Sequence, residues 1–243
     1  HSLMGNYKQA TEYLEKLLKT ASEFNEIALL YGKNLVKLKL FETALPHLEK
    51  AIKQEKDSFE AQFYIGLTLL RLSREKDAMI HLQKAAQLNP KSSLTFNHLG
   101  QTYQKLEMVP EAIQAYNQAI RIKPDFIDSY NKLGILYTFK QDYEMAIKMF
   151  RDAIQSNNDF QEGYINLGMV YGILGRHPEA IEAYKNILAL NPDHQKALFN
   201  LGLVLMDENR FLEAISPLKQ AINLNKKNTD AHYSLGLVYG NLN

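Results

Sequence analysis

The chain has 243 residues, of which 46% are hydrophobic, and its net charge is +1. Such a balance gives no bulk electrostatic reason to bind nucleic acid or an anionic membrane surface. The absence of cysteine excludes disulfides, thiolate metal sites and cysteine nucleophiles. No uninterrupted apolar run is long enough for a membrane-spanning helix, so direct membrane insertion is not expected.

The first residues, 1–6, read as the remnant of an expression tag, because HSLMG has neither the charged start nor the apolar stretch of a signal peptide. Residues 7–22 follow with the apolar spacing of one amphipathic helix. We expect a cytoplasmic protein whose natural termini are missing from this sequence.

From this first helix onward, the chain repeats itself every 34 residues without an insertion or a deletion. The glycine ladder is Gly32, Gly66, Gly100, Gly134, Gly168, Gly202 and Gly236. The alanine ladder is Ala10, Ala44, Ala78, Ala112, Ala146, Ala180 and Ala214. The bulky ladder is Leu14, Leu48, Leu82, Tyr116, Phe150, Tyr184 and Leu218. The fourth ladder is Leu17, Ala51, Ala85, Ala119, Ala153, Ile187 and Ala221. Four aligned ladders predict an array of structural repeats.

Each repeat is predicted to contain two amphipathic helices, A and B, because its apolar residues follow helical spacing twice. Glycine inside a helix costs about 1 kcal/mol relative to alanine, so its recurrence indicates a close approach between helices. We expect Gly100 to pack against the region of Ala112, since both are small. We expect Tyr103 and Tyr116 to fill the space between neighbouring repeats.

The pattern L-G-x-x-Y, followed by Ala, an aromatic residue or Leu, Ala and often Pro, resembles the tetratricopeptide repeat (TPR) family over almost the whole chain. The resemblance implies an all-α fold, a right-handed superhelical solenoid of 34-residue helix-turn-helix repeats whose helices A line a concave groove. The predicted organisation is an unpaired helix B at 7–22, full repeats at 25–58, 59–92, 93–126, 127–160, 161–194 and 195–228, and helix A of a truncated seventh repeat at 229–243.

The groove residues implied by the resemblance form one stripe on each helix A, polar in the middle of the chain and apolar towards both ends. Exposed apolar clusters usually mark an interaction site, and the C-terminal cluster is the clearest. The alternative is that some of these side chains are buried against helix B. The same stripe also includes Lys37, Arg71, Ile135, Phe139 and Ile173. The residues predicted to bind a peptide are Phe63, Tyr64, Asn97, His98, Gln101, Asn131, Lys132, Ile165, Asn166, Met169, Lys196, Phe199, Asn200, Leu203 and Met206.

Two specialised functions of TPR proteins are tested by these residues. The clamp that holds a C-terminal carboxylate needs several charge-assisted donors, and only Asn166 and Lys196 fall in its register. Asn131, Ile135 and Asn200 stand where its other donors are required, so a clamp is not expected. The asparagine ladder of O-GlcNAc transferases is matched only by Asn166 and Asn200, which are expected to hold a peptide backbone.

Catalytic residues, cofactors and metals are not expected. No two histidines have the i, i+4 spacing of a helical metal site, and the ladder glycines lie inside predicted helices rather than in a phosphate-binding loop. The sequence therefore predicts a non-catalytic protein–protein interaction scaffold or adaptor that binds a peptide or protein segment in the concave groove. The alternatives are a substrate-recruiting TPR region of a larger enzyme, such as an O-GlcNAc transferase-like protein, or a self-assembling organelle- or membrane-associated scaffold.

The two ends of the array predict weak head-to-tail self-association. Terminal repeats normally need a polar capping helix, and neither predicted half-repeat has its own partner helix. The apolar residues expected to be bare are Tyr13, Leu14 and Leu17 at one end and Leu235, Val238 and Tyr239 at the other.

Overall fold

The computed structural model describes residues 2–20 and 25–242, and the chain divides into two compact units, His1–Pro124 and Asp125–Asn243, called unit 1 and unit 2 below. All regular secondary structure in the described residues is helical, which confirms the all-α prediction. Unit 1 contains α1 (Ser2–Thr20), α2 (Asn25–Lys37), α3 (Phe41–Gln54), α4 (Phe59–Arg71), α5 (Glu75–Leu88), α6 (Ser93–Lys105) and α7 (Val109–Ile122). Unit 2 contains α8 (Ile127–Phe139), α9 (Tyr143–Ser156), α10 (Gln161–Ile173), α11 (His177–Leu190), α12 (Gln195–Asp207), α13 (Phe211–Leu224) and α14 (Thr229–Leu242).

The helices follow the sequence period closely. Helices A from α2 to α12 have 13 residues each and the helices B that follow them have 14. The helix predicted at 7–22 is longer at its start, because α1 begins at Ser2, and its expected last two residues lie outside the described residues. Each repeat therefore presents its groove stripe from the same part of helix A.

One turn conformation joins helix A to helix B in every pair. In the third pair, Met108 N–H donates to the Tyr103 carbonyl at 2.9 Å and Glu107 N–H donates to the Gln104 carbonyl at 3.1 Å. This Schellman geometry places one residue in the left-handed conformation. The residues with positive φ are Lys39, Ser73, Glu107, Gln141, Gly175 and Asn209. Only one of them is glycine, so the hydrogen bonds of the turn hold ordinary side chains in a conformation that they rarely adopt.

The glycine ladder packs against the bulky ladder within each pair of helices. A methyl group added at Gly134 would lie 2.5 Å from the Phe150 ring, and one added at Gly100 would lie 2.6 Å from the Tyr116 ring. Gly100 therefore packs on α7 against Tyr116, one helical turn after Ala112, and the Tyr116 hydroxyl donates to the Gln104 side-chain oxygen of the same repeat at 3.0 Å. A bulky side chain packed this closely, whether a ring or the leucine that faces Gly32, Gly66 and Gly202, needs a helix surface without a side chain, which only glycine provides.

The ladders also define the core of each unit. The alanine ladder from Ala44 to Ala214 is fully buried, as is most of the bulky ladder. At the ends, Leu14 and Val238 were expected to be bare but are buried, because α1 packs on α2 and α14 packs on α13. Tyr13, Leu17 and Tyr239 are exposed, and head-to-tail association stays a prediction.

Candidate functional site

A cavity of about 270 Å³ opens between the helices A of unit 2 and is also lined by Phe150 of α9. It is positioned by α8 and α10, whose ladder residues face α9 and α11 and leave the opposite stripe outward. We call it the apolar cavity. Its lining consists of Ile135, Thr138, Phe139, Phe150, Asn166, Met169, Val170 and Ile173.

Large apolar side chains of the apolar cavity are exposed to solvent. Phe139 is 83% exposed, Ile173 is 57% exposed and Met169 is 47% exposed. Phe139 and Ile173 occupy the last position of α8 and of α10. Contiguous exposed apolar side chains in a concave surface are typical of a binding site, since covering them removes apolar area from water.

An amide pair forms the polar part of this site. The Asn166 side-chain N–H donates to the Asn131 side-chain oxygen at 2.9 Å, which links α10 to α8. Thr138 donates its hydroxyl proton to the Gly134 carbonyl at 2.9 Å. Half-buried Asn166 keeps a second N–H and an amide oxygen for a ligand, because an asparagine amide has two donors and an acceptor with two lone pairs.

A second cavity, of about 380 Å³, lies among the helices A of unit 1, and we call it the basic cavity. Its floor is aromatic. The Phe63 ring centroid lies 5.3 Å from that of Tyr64 and 5.8 Å from that of His98, which joins α4 to α6. The lining consists of Val36, Lys37, Lys39, Phe41, Phe63, Tyr64, Leu67, Arg71, Leu94 and His98.

Cations surround this aromatic floor. Lys37, Lys39 and Arg71 are exposed. The Lys37 ammonium donates to the Tyr7 hydroxyl at 2.9 Å, and this hydrogen bond raises the pKa of Lys37. Lys33, nearby on α2, is paired with Glu60 at 2.6 Å and adds no net charge to the site.

Several predicted peptide-binding residues lie in these cavities. Phe63, Tyr64 and His98 line the basic cavity. Asn166 and Met169 line the apolar cavity. These side chains are available to a ligand in their own unit.

Other predicted residues are buried and present no surface to a ligand. Asn97 and Asn131 are each 2% exposed and Ile165 is 4% exposed. The alternative of burial is therefore correct for Ile165. Asn131 shows the reason, because its position in helix A faces the next helix A of the unit, where it meets Asn166.

The remaining predicted residues line neither cavity. In α12, the Asn200 side chain hydrogen-bonds to the Tyr184 hydroxyl, whose burial raises the pKa of Tyr184 to about 12 despite that bond. On α6, His98 Nδ1 lies 3.3 Å from the Gln101 side-chain oxygen. Lys196 is exposed, and the others are half-buried: Gln101, Lys132, Phe199, Asn200, Leu203 and Met206.

Sequence reasoning missed two residues of the basic cavity. Phe41 begins α3 and Lys39 belongs to the preceding turn, so neither lies on the groove stripe of a helix A. Lys39 is turned towards the cavity by a backbone with φ of 62°, a conformation that lysine does not signal in a sequence.

Neither a metal cluster nor a membrane span is found among the described residues. No group of His, Asp and Glu side chains in residues 2–20 and 25–242 has the arrangement of a metal site. No helix in that part of the chain combines the length and the apolar character needed to cross a membrane.

Family profiles match consecutive parts of the chain. The profile of the Psidin N-terminal TPR repeats region matches residues 34–161, more than half of the chain. The tetratricopeptide repeat profile matches residues 162–194, and a further TPR repeat profile matches residues 203–243. No curated protein sequence matches the chain significantly.

Solved structures of TPR proteins resemble this one. The C-terminal part of a TPR repeat-containing protein from Cytophaga hutchinsonii is 17% identical with a TM-score of 0.78, and the match covers 95% of each chain. YrrB, described as a TPR protein with an unusual peptide-binding site, is 21% identical with a TM-score of 0.65, covering 77% of this chain and 96% of YrrB. MamA is 25% identical with a TM-score of 0.63, covering 68% of this chain and 97% of MamA. These likenesses confirm the solenoid fold class.

Proposed function

Since the chain belongs to the tetratricopeptide repeat family, we propose that it is an interaction scaffold that holds a peptide segment of a partner protein against its helices A. The family and the fold support a protein-interaction role in general. The peptide-binding site described for YrrB supports a peptide as the ligand of a related fold.

The apolar cavity is the observation that carries the proposal. Phe139, Met169 and Ile173 are held on two packed helices. Covering them with a ligand side chain therefore costs the protein little conformational entropy. Burial of apolar surface contributes about 25 cal/mol per Å² removed from water. An apolar anchor of a peptide gains this contribution, and Asn166 satisfies a backbone amide beside it.

The proposed role is non-catalytic. The side chains that converge on the apolar cavity are apolar, hydroxyl or amide groups. General acid–base catalysis needs a titratable group within hydrogen-bond reach of the substrate, and this lining supplies none. The cavity is suited to holding a chain segment and orienting it.

The test selects short random peptides by display on the intact chain and then measures the affinity of the best synthetic peptides. Ile173→Asp places a charge in the apolar cavity. Ile80→Asp is the matched control, because Ile80 is 61% exposed on helix B of unit 1 and lies in neither cavity. Peptides with apolar anchors are expected to bind at least about tenfold more weakly to Ile173→Asp, as expected for a charge facing an apolar anchor.

The control is expected to bind like the unaltered chain, and both variants should keep their helical circular dichroism. If no peptide is enriched, or if every enriched peptide binds Ile173→Asp as tightly as Ile80→Asp, the apolar cavity is not a peptide site.

A further inference from the structure

We propose that the basic cavity of unit 1 takes an acidic peptide segment that carries an apolar side chain. This inference rests on the proposed function and names the ligand chemistry of a second groove. It concerns residues Lys37, Lys39 and Arg71 together with the aromatic floor below them.

The charge of the cavity is one-sided. Three of its lining residues are lysine or arginine and none is a carboxylate. In the part of the chain that the structure describes, the side chains of Lys39 and Arg71 form no ion pair and no hydrogen bond. Lys37 donates to the neutral Tyr7 hydroxyl and lies over the Tyr7 ring, and neither contact neutralises its charge. Carboxylates are the complementary groups, since lysine and arginine are donors only.

Two acidic residues of α4 and α5 are paired with lysines outside the lining of the cavity. Glu60 is paired with Lys33 at 2.6 Å, and Glu75 is paired with Lys105 at 3.0 Å. Neither of these carboxylates is therefore paired with a cation of the basic cavity.

The floor of the cavity requires an apolar group as well as charge. Phe63, Leu67 and Val36 line it from two helices A, and Leu94 extends it onto α6 with 53% of its surface exposed. A purely acidic segment would leave this apolar surface exposed to water. A segment in which an apolar residue lies beside Asp or Glu covers the apolar floor and also brings a carboxylate to the cations of the cavity.

The cations are arranged by the repeat itself. Lys37 and Arg71 occupy the last position of α2 and α4, one repeat apart. A segment that crosses these two helices A meets a cation on each. This position differs from the register of the carboxylate clamp that the sequence excludes, so the recognition is of side-chain carboxylates along a segment.

The experiment uses the same displayed library on the intact chain, with Lys39→Glu/Arg71→Glu as the test variant. Its control is Lys76→Glu/Lys148→Glu, which makes the same change in net charge at exposed positions of α5 and α9 outside both cavities. A class of peptides that pairs Asp or Glu with an apolar residue is expected to be enriched. Its affinity should fall about tenfold or more in the test variant and about twofold or less in the control, because only local charge contacts are reversed in the former. Replacing the peptide carboxylates by amides should have a similar effect.

The outcomes separate this inference from the proposed function. If peptides sensitive to Ile173→Asp are enriched but none of the enriched peptides is acidic, the inference is wrong and the proposed function stands. If test and control variants weaken acidic peptides equally, the attraction comes from overall charge and the inference is also wrong. If no peptide of any kind is enriched, both fail. Thermal unfolding of the variants excludes loss of the fold as the cause.

Discussion

The grooves of the two units differ, whereas the packing of helices A against helices B is the same in both units. At the last position of helix A, unit 1 carries Lys37, Arg71 and Lys105, and unit 2 carries Phe139, Ile173 and Asp207. The glycine and alanine ladders continue through both units, and the bulky ladder keeps a large side chain at every position. Packing between helices A and B therefore constrains the ladders, whereas the outward stripe varies and sets the ligand chemistry of each groove.

The difference extends to the contacts between neighbouring helices A. In unit 1 the Phe63 ring packs against the His98 ring, and in unit 2 Asn131 accepts a hydrogen bond from Asn166. Both pairs join the same two positions of successive repeats. The same contact between neighbouring helices A is thus made by two packed rings below a charged groove and by paired amides below an apolar one.

The largest expected effect comes from disrupting the contact between the glycine ladder and the bulky ladder, which both units share. Gly100→Ala and Gly134→Ala each place a methyl group about 2.5 Å from a rigid ring in the folded state. Each is expected to lower the free energy of unfolding by about 1–2 kcal/mol, because overpacking exceeds the gain in helix propensity. Urea unfolding followed by circular dichroism measures this.

Gly236→Ala is the control for this prediction. Nothing lies within 4 Å of the added methyl group there, so only helix propensity changes. A gain of about 0.5–1 kcal/mol is expected. A loss at Gly236 as large as that at Gly134 would show that ring packing is not the reason for the ladder.

An intermediate effect is expected from removing the amide pair, which tests how the contact between neighbouring helices A differs between the two units. Asn131→Ala removes the acceptor of Asn166 and leaves a buried gap, so the free energy of unfolding should fall by about 1–2 kcal/mol. A double-mutant cycle with Asn166→Ala measures the coupling, which is expected to be about 1 kcal/mol. Additive effects of the two substitutions would contradict the hydrogen bond.

The smallest effect concerns pH and distinguishes unit 1. Burial lowers the pKa of His81 below 6.5; Arg74 adds to the lowering, while Asp77 and Glu49 oppose it. The folded state holds the neutral imidazole, so its contribution to stability is present above pH 6.5 and is lost as the pH falls from there through the lower folded-state pKa.

The matching substitution is His81→Met, since Met149 stands at the equivalent position of unit 2. The variant loses the contact between His81 Nδ1 and the Gln62 side-chain oxygen at 2.8 Å, so absolute stability is not the readout. The fall in the free energy of unfolding from about pH 7.5 to about pH 5.5 should be smaller in the variant than in the unaltered chain. An unchanged fall would mean that His81 does not contribute to it.

The period of the sequence was sufficient to predict the helix pairs and their core. Ladder positions pack against residues of the same repeat, so the constraint on them is local and recurs every 34 residues. The helix positions, the buried alanines and the buried bulky residues follow from it. The residues that the ladder glycines contact did not follow from the period. Spacing shows which residues share a face of a helix, but it does not show which of them are in contact.

Surface exposure within the stripe was harder to predict. Ile165 and Met169 are both apolar and lie one turn apart on α10, yet one is 4% and the other 47% exposed. Their difference depends on the neighbouring helices, which periodicity alone does not place. The turn residues gave no signal either, because Lys39 and Glu107 are not typical of a left-handed backbone.

The uniform turn between helices A and B has a consequence for how such a chain changes over generations. Three residues separate helix A from helix B in both the fourth and the fifth pair, and each ladder glycine from Gly32 to Gly202 lies against the residue 16 positions later. Unequal crossing-over between the codons of Gly134 and Gly168 would delete one 34-residue copy. Gly134 would then take the position of Gly168 and pack against Tyr184. A gene of this kind can lengthen or shorten its array by whole copies, and selection afterwards adjusts the outward positions of helix A and the contacts between neighbouring helices A.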